Sequence, residues 1–363
     1  MTDKKKPDKR GRPGWTQGRE RDGCPLDPSQ KDDRLELLKR HPLLDVRPDS
    51  FQIPTPPLKR AFEAATHTIA SGDPGRAFYA FPRFGKTAAS KYFTHRLPEL
   101  FPDTPIFLYQ AHHNRLVRRD RFYAQLLRTM CGNALANAGS DPLERLVRAC
   151  WARAEEHGAH RIILIGDEMQ CLSPEVYSWL IDFANDLHDL KVRVISIFFG
   201  QPELVSVHEV LLHTNRVDII GRFLSRLEPL EGIRSVIELR EVMHAYDDPR
   251  ELEYPAGSGW SFTRFFAPEA FANGWRLASC AGACWEEFRE VAAGRLKSAG
   301  KSRRLNIGMQ WVAGAIRHVL QLLWDRDSPK PEIPQKFWRA AILQTGWADT
   351  LGVIYDPAQI EES

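Results

Sequence analysis

Short apolar runs alternate with helix-compatible segments through the middle of the chain. Five of these runs are rich in β-branched or aromatic residues: 76–80, 105–109, 161–166, 192–199 and 235–239. Runs of this length and composition are typical of buried strands. Because strands and helical patterns alternate, the chain is predicted to form an α/β fold, a parallel sheet with helices on both faces.

One predicted helix lies between the third and fourth strands. Ser173 and Pro174 form a start signal, a capping side chain followed by proline at the first helical position. Apolar residues then recur at the spacing of one helix face, at Val176, Leu180, Phe183 and Leu187. This helix is expected to pack on the sheet and to belong to the core.

The first strand is followed by a candidate phosphate-binding loop. Gly85, Lys86 and Thr87 fit the second half of the P-loop pattern GxxxxGK(S/T), and Ala80 takes the position of the first glycine. Alanine is acceptable there if the backbone needs no positive φ. In such loops the amides cradle phosphates, the lysine reaches the β and γ oxygens and the hydroxyl joins the Mg²⁺ shell. The candidate nucleotide-binding residues are Ala80, Arg83, Phe84, Gly85, Lys86 and Thr87.

A pair of carboxylates at the end of the third predicted strand completes this signal. The apolar run 161–166 ends in Asp167 and Glu168. A carboxylate at the tip of a strand beside the P-loop strand can hold Mg²⁺, and the next one can polarise an attacking water. The pair alone also fits an exposed strand end. Together with the loop it predicts a site for ATP and Mg²⁺, with Thr87 and Asp167 on the metal and Glu168 as the catalytic carboxylate.

Composition places the chain among ordinary globular proteins. It has 363 residues, 43% hydrophobic and 27% charged, which argues against a largely disordered or fibrous chain. No apolar stretch approaches the length of a membrane span and the amino terminus is charged, so a cytoplasmic protein without a membrane partner is expected. Six cysteines are too few for a disulfide framework and are expected to be reduced thiols.

Positive charge is concentrated at the amino terminus. The first 21 residues hold eight Lys or Arg against three acidic residues. A basic segment with so few apolar residues is expected to stay mobile and to bind an anion. Within it, Arg10 and Arg12 flank Gly11 as in an AT-hook, where two arginines lie in the minor groove of A·T-rich DNA. A solvated basic tail is the alternative, and both predict salt-sensitive DNA affinity.

Together these motifs resemble the AAA+ ATPases that regulate transposition, of the TnsC/TniB type, with a more distant resemblance to ExeA-like and DnaC-like ATPases. The resemblance runs from about residue 54 to about residue 320. It is carried by Phe-Pro-Arg-Phe-Gly-Lys-Thr at 81–87, Asp-Glu-Met-Gln-Cys-Leu at 167–172, Phe-Gly-Gln-Pro-Glu-Leu at 199–204, Gly-Arg-Phe-Leu-Ser-Arg at 221–226 and Leu-Asn-Ile-Gly-Met at 305–309. It implies an AAA+ core with a small helical lid.

The resemblance also implies roles for residues outside the Walker motifs. Gln201, at the tip of the fourth strand, matches the sensor 1 residue that orients water against the γ-phosphate; an ordinary turn residue is the alternative. Arg222 matches the arginine that reaches the nucleotide of a neighbouring subunit, with Arg216 and Arg226 as rivals. Where relatives often carry a sensor 2 arginine, this chain has Met309, which implies slow or partner-dependent hydrolysis.

A basic segment follows the second predicted strand. In the resembling family this segment lines the pore of a helical oligomer and follows the phosphates of one DNA strand, which suits the planar guanidinium group. The implied DNA-binding residues are Arg115, Arg118 and Arg119, while a solvated helix start partly neutralised by Asp120 is the alternative. The expected partner is the backbone of double-stranded DNA, because phosphate contacts carry no sequence information.

The sequence divides into four parts. Residues 1–45 are expected to form a basic, largely disordered tail, 46–243 the AAA+ core, 244–325 an aromatic insertion with the lid, and 326–363 a carboxy-terminal extension. The aromatic-rich segment 247–275 forms either a packed subdomain or a partner surface. The extension is expected to dock on its own core or on a partner.

The motifs predict a site for ATP, and the resemblance implies an ATPase that forms a homo-oligomer, a ring or a helical filament, on duplex DNA. The resemblance implies that it marks a target site and passes it to a transposase, together with a target-selector protein. Two alternatives remain open. One is a DNA-independent signalling or secretion ATPase of the ExeA kind, and the other is a non-hydrolysing DNA-binding adaptor in which Ala80 and Met309 reflect a degenerate site.

Overall fold

The computed structural model describes residues 26–45, 51–112, 118–132, 141–295 and 305–354. Its strands are β1 (Gly75–Tyr79), β2 (Ile106–Gln110), β3 (Arg161–Asp167), β4 (Arg193–Gly200) and β5 (Leu227–Pro229). They form a parallel sheet in the spatial order β2-β3-β4-β1-β5. The predicted parallel arrangement is therefore confirmed.

Helices cover both faces of the sheet and continue beyond it. In the first half of the chain they are α1 (Lys31–Leu38), α2 (Pro56–Ser71), α3 (Lys86–Leu100), α4 (Arg119–Cys131), α5 (Pro142–Glu156), α6 (Pro174–Asp189) and α7 (Glu203–His213). In the second half they are α8 (Val217–Ile219), α9 (Val236–Asp247), α10 (Phe262–Phe266), α11 (Pro268–Ala272), α12 (Ala281–Arg295), α13 (Met309–Arg326), α14 (Gln335–Gln344) and α15 (Trp347–Ile354). Across the described ranges, no helix is both long and apolar enough to cross a membrane.

The two faces of β3 belong to two separate cores. Successive residues of a strand point to opposite faces of the sheet. Ile163 and Ile165 join the cluster that contains α2 and α3, whereas Ile162 and Leu164 join the cluster that contains α4, α5 and α6. A strand buried on both faces can be apolar at nearly every position, which explains why the run 161–166 is continuous.

Helix α6 begins where the sequence predicts. Ser173 is its cap, and the hydroxyl oxygen accepts the Val176 N–H at 3.4 Å. Pro174 is the first helical residue, and the four apolar residues of the predicted face are all buried. The helix is confirmed as part of the core.

The strand predicted at 235–239 is wrong. These residues begin helix α9, and the strand beside β1 is instead the three-residue β5. The Ser235 hydroxyl caps the helix by accepting the Glu238 N–H at 3.2 Å, and Leu239 and Val242, three residues apart, are both buried. A short apolar run is compatible with the periodicity of a strand or of a helix. Here the cap and the buried helix face favour the helix.

The aromatic-rich segment after α9 packs inside the chain. Tyr254, Phe262, Phe265 and Phe266 are buried, and their ring centroids lie 4.5–4.8 Å from that of the fully buried His41. The His41 ring comes from residues 26–45, which also form α1. Within the segment 1–45, expected to be largely disordered, residues 26–45 therefore contribute a helix and buried side chains to the fold.

The carboxy-terminal extension folds back on the helices that precede it. Helix α14 packs against α12 and α13, and α15 packs against α12. Trp338 and Trp347 are fully buried, and the Trp347 ring meets the Phe288 ring of α12 edge-on at 4.9 Å. Of the two possibilities left open by the sequence, the described part of the extension docks on its own chain.

Candidate nucleotide-binding site

Three strand ends meet at the carboxyl edge of the sheet. Strand β1 leads into the loop 80–85, β3 ends in Asp167, and β4 ends in Gly200, followed by Gln201. Because β4 pairs with both β1 and β3, the loop and the carboxylates lie around the end of one strand. The Ala80 N–H donates to Gly200 O at 3.0 Å and continues this pairing into the loop. Ligands of open parallel sheets bind at this edge.

The loop turns through two residues in the left-handed region. Of the described positions 80–87, Arg83 (φ 72°) and Gly85 (φ 95°) have positive φ, so Ala80 adopts an ordinary conformation that needs no glycine. Gly85 caps α3 without a side-chain hydrogen bond, which leaves the first N–H groups of the helix to an anion. The left-handed conformation of Arg83 costs about 1–2 kcal/mol.

Lys86 is enclosed by the loop. It is 6% exposed, and its Nζ donates to Ala80 O at 2.9 Å and to Phe81 O at 3.2 Å. Burial lowers the pKa of Lys86, and the negative charges of Glu168 and Asp167 oppose this shift. The ammonium group therefore lies within electrostatic reach of the two carboxylates that end β3.

Asp167 and Thr87 form the oxygen-rich side of the site. Burial raises the pKa of Asp167, and hydrogen bonds from the Thr87 hydroxyl and the Glu168 N–H oppose this shift. A hydroxyl and a carboxylate are hard oxygen ligands of the kind Mg²⁺ takes, with phosphates and waters completing its shell. The donor set fits Mg²⁺ bound with a nucleotide, and Lys86 and the first amides of α3 fit its phosphates.

Glu168 has a strained backbone, and two glutamines hold its side chain. Its φ and ψ are 58° and 36°, in the left-handed region. Glu168 Oε2 accepts hydrogen bonds from Gln170 Nε2 at 2.6 Å and from Gln201 Nε2 at 3.0 Å. The structure thus brings Gln201 to Glu168. Sequence reasoning missed Gln170, and the available signal was its place in the motif Asp-Glu-Met-Gln, two residues after Glu168.

The start of α13 lies against the loop 80–85. The Gln310 N–H donates to Arg83 O at 3.3 Å, and the Trp311 ring lies edge-on to Phe84 with a centroid distance of 6.0 Å. Met309 is the first residue of this helix and is half-buried. Helix α13, which the resemblance implies is part of a lid, therefore contacts the loop through its backbone and an aromatic ring.

The three arginines considered for a contact across subunits differ in their own partners. Arg216 and Arg226 each form an ion pair with an aspartate of the same chain, at 2.8 and 3.1 Å. Arg222 Nη1 instead donates to the neutral Asn185 Oδ1 at 2.9 Å. A guanidinium binds a carboxylate more strongly than a neutral amide, so of the three arginines Arg222 loses least when it exchanges its partner for another anion.

The predicted DNA-binding residues are described only in part. Three of them lie outside the described residues: Arg10, Arg12 and Arg115. Arg118 directly precedes α4 and is exposed. Arg119, the first residue of that helix, forms an ion pair with Asp182 of α6 at 3.2 Å. Arg119 is therefore partly neutralised by its own chain, whereas Arg118 faces solvent.

Several solved structures resemble this chain at low sequence identity. The ORC1 protein of Aeropyrum pernix in complex with DNA is 13% identical with a TM-score of 0.46, and the match covers 84% of this chain and 68% of that one. Domain III of the Thermotoga maritima replication initiation protein DnaA is 14% identical with a TM-score of 0.38, covering 83% and 98%. Drosophila ORC bound to DNA is 12% identical with a TM-score of 0.43, covering 90% and 69%. No curated protein matches the sequence.

The part of the chain that holds this site is similar to a known protein family. Residues 76–207 match the family described as AAA domain. The matched segment includes β2, β3, β4 and all but the first residue of β1. It also holds the loop with Lys86 and Thr87 and the carboxylates Asp167 and Glu168. The similarity to an AAA domain therefore covers the segment that carries the candidate site.

Proposed function

We propose that this chain is an AAA+ ATPase that binds ATP and Mg²⁺ between its phosphate-binding loop and the end of β3. The observation that carries the proposal is the convergence of Lys86, Thr87, Asp167 and Glu168 at one edge of the sheet. The match of the same residues to an AAA domain supports it. So does the ordinary backbone of Ala80, since the departure from the P-loop pattern leaves the loop intact.

Each of these side chains has one task in the proposed hydrolysis. Lys86 presents an enclosed positive charge to phosphate oxygens, and the first amides of α3 add donors. Thr87 and Asp167 would hold Mg²⁺, which neutralises phosphate charge when bound. Glu168 offers a carboxylate oxygen that orients and polarises the attacking water, and the amide of Gln201 holds that carboxylate in place.

A neighbouring copy would complete the site through Arg222. This residue lies on the turn Ile220–Leu224, after α8. Moving from the amide of Asn185 to a phosphate would give Arg222 a charged partner and a stronger hydrogen bond. A cation supplied across a subunit boundary makes hydrolysis depend on assembly, which agrees with an uncharged Met309 at the start of the lid helix.

The proposed oligomer assembles on duplex DNA and regulates transposition by marking a target site for a transposase. This part rests on the resemblance to the TnsC/TniB type at residues 167–172, 199–204 and 221–226. The exposed Arg118 at the start of α4 supports a phosphate contact. The basic amino-terminal segment would add salt-dependent affinity for the same partner.

Electron microscopy in negative stain tests whether the chain assembles on DNA and whether that assembly requires ATP. The purified chain is mixed with duplex DNA and a non-hydrolysable ATP analogue, ADP or no nucleotide. The proposal predicts that rings or filaments form on DNA only when the ATP analogue is present. They should not form in Lys86→Ala or in Arg222→Ala. Arg226→Ala is the matched control, because that arginine already has an aspartate partner.

Three other outcomes would contradict the proposal. Monomers under all conditions would contradict the proposed contact between subunits. ATP hydrolysis that responds to neither duplex nor salt would favour the DNA-independent ATPase. Binding to DNA without any ATP binding, unchanged in Lys86→Ala, would favour the adaptor.

A further inference from the structure

The side chain of Gln170 connects the ends of two neighbouring strands. Gln170 Nε2 donates to Glu168 Oε2 at 2.6 Å, at the end of β3. Gln170 Oε1 accepts the Gln201 backbone N–H at 2.9 Å, at the end of β4. The amide group of Gln170 thus donates to a carboxylate oxygen and accepts a hydrogen bond from a backbone N–H. We call this pair of hydrogen bonds the Gln170 bridge.

The surroundings hold Gln170 in this position. It lies in the short helical turn Met169–Cys171. The buried Tyr177 hydroxyl donates to Met169 O at 3.0 Å and fixes that turn to α6. Opposite the amide, Gly200 makes room, because a Cβ at that position would lie 3.1 Å from Gln170 Oε1. Helix α6 therefore holds the turn that carries Gln170, and the backbone at the end of β4 lies close to its amide oxygen.

The bridge determines which oxygen of Glu168 is free for chemistry. Both amide donors, from Gln170 and Gln201, bind Oε2. For Oε1, the structure records no donor from the described residues, so this is the oxygen left to a water. Strained residues such as Glu168 persist where neighbours fix them, and such positions cluster at functional sites. The two amides are the neighbours that fix this side chain.

We propose that Gln170 is a positioning residue, which aims Glu168 for hydrolysis and ties it to the turn that begins α7. This inference rests on the proposed ATPase function and deepens it. The same turn leads through α7 and α8 to the segment that carries Arg222. Gln170 therefore stands between the carboxylate and the element proposed to contact a neighbouring copy.

Two substitutions distinguish the contributions of the two hydrogen bonds in the Gln170 bridge. Gln170→Glu keeps an oxygen that accepts the Gln201 N–H but replaces the donor to Glu168 with a second negative charge. Gln170→Met has nearly the same length and removes both hydrogen bonds. Gln52→Met is the matched control, because Gln52 is another half-buried glutamine and its amide donates to the backbone oxygen of Ala88 rather than to a carboxylate.

Steady-state hydrolysis by the full chain gives the first readout. In Gln170→Glu and Gln170→Met, kcat is expected to fall by about 10- to 100-fold, the loss that follows from one hydrogen bond to a charged group. KM is expected to stay within about threefold, since Gln170 acts on Glu168 rather than on bound nucleotide. Gln52→Met is expected to hydrolyse ATP like the wild type.

Amide hydrogen exchange gives a readout that does not depend on hydrolysis. The Gln201 N–H is protected in the structure by Gln170 Oε1. Its exchange is expected to be faster in Gln170→Met and unchanged in Gln170→Glu. A variant that had merely lost its fold would expose the amides of β3 and β4 as well, so this measurement also detects misfolding.

The outcomes distinguish the bridge from the function on which it rests. A kcat in Gln170→Glu equal to or above that of the wild type would overturn the positioning role. Equal protection of the Gln201 amide in wild type and Gln170→Met would overturn the bridge itself. A wild type that binds ATP without hydrolysing it would overturn the ATPase proposal, and the exchange result would then decide the bridge alone.

Discussion

Gly308 lies at a tight contact between the start of helix α13 and the loop 80–85. It caps α13 with φ −61° and ψ 139°, a conformation that any residue adopts. A Cβ at this position would lie 2.8 Å from Arg83 O and 2.7 Å from the Trp311 ring. The change Gly308→Ala therefore tests steric contact alone, without backbone strain at residue 308 itself.

The magnitude follows from how little these two neighbours can move. Arg83 O belongs to a strained loop residue and accepts the Gln310 N–H, while Trp311 is 2% exposed. Overpacking of a well-packed site costs about 1–3 kcal/mol. Gly308→Ala is expected to lower the free energy of unfolding by this amount and to weaken nucleotide binding, because the loop carbonyl must shift.

Denaturant unfolding and calorimetric titration with an ATP analogue measure the two effects. Gly282→Ala in α12 is the control, since a Cβ there meets no atom within 4 Å, and it should keep or raise the stability by up to about 1 kcal/mol. Wild-type stability and affinity in Gly308→Ala would refute the close contact between lid and loop.

Three further predictions concern other parts of the molecule. Arg222→Ala should reduce hydrolysis only at protein concentrations that allow assembly, whereas Arg226→Ala should retain it; equal loss in both would contradict the assignment. Trp338→Ala should lower the free energy of unfolding by about 3–5 kcal/mol, the range for truncating a fully buried tryptophan, as measured by denaturant unfolding. Burial holds the pKa of His41 well below 6.5, so the unfolded chain takes up a proton that the folded chain does not. Stability should therefore fall as the pH drops below 6.5, by up to about 1.4 kcal/mol per unit from this group, and His41→Asn should remove that part of the slope in a pH series of unfolding curves.

The features that could be predicted from the sequence are those encoded by nearby residues. The middle of strand β3, 162–165, is buried on both faces and is therefore apolar at every position. Helix α6 has its cap, its proline and its buried face within sixteen residues. The phosphate-binding loop joins a strand to a helix directly, so its candidate residues are contiguous.

The features that could not be predicted depend on contacts between distant segments. The run 235–239 fits a strand or a helix until its cap and its buried face are known. The Gln170 bridge requires that β3 and β4 be neighbours, and the neutral partner of Arg222 lies 37 positions away. Residues 26–45 become ordered because the His41 ring packs on aromatic rings from α10 and the segment before it.

The most direct test of the account is calorimetric titration of the wild type and Lys86→Met with a non-hydrolysable ATP analogue and Mg²⁺. The account predicts one site per chain in the wild type and a loss of at least about tenfold in affinity in Lys86→Met, as expected when a charged hydrogen bond to phosphate is removed. Equal affinity in the two proteins, or no binding to the wild type, would contradict the assignment of this sheet edge as a nucleotide site.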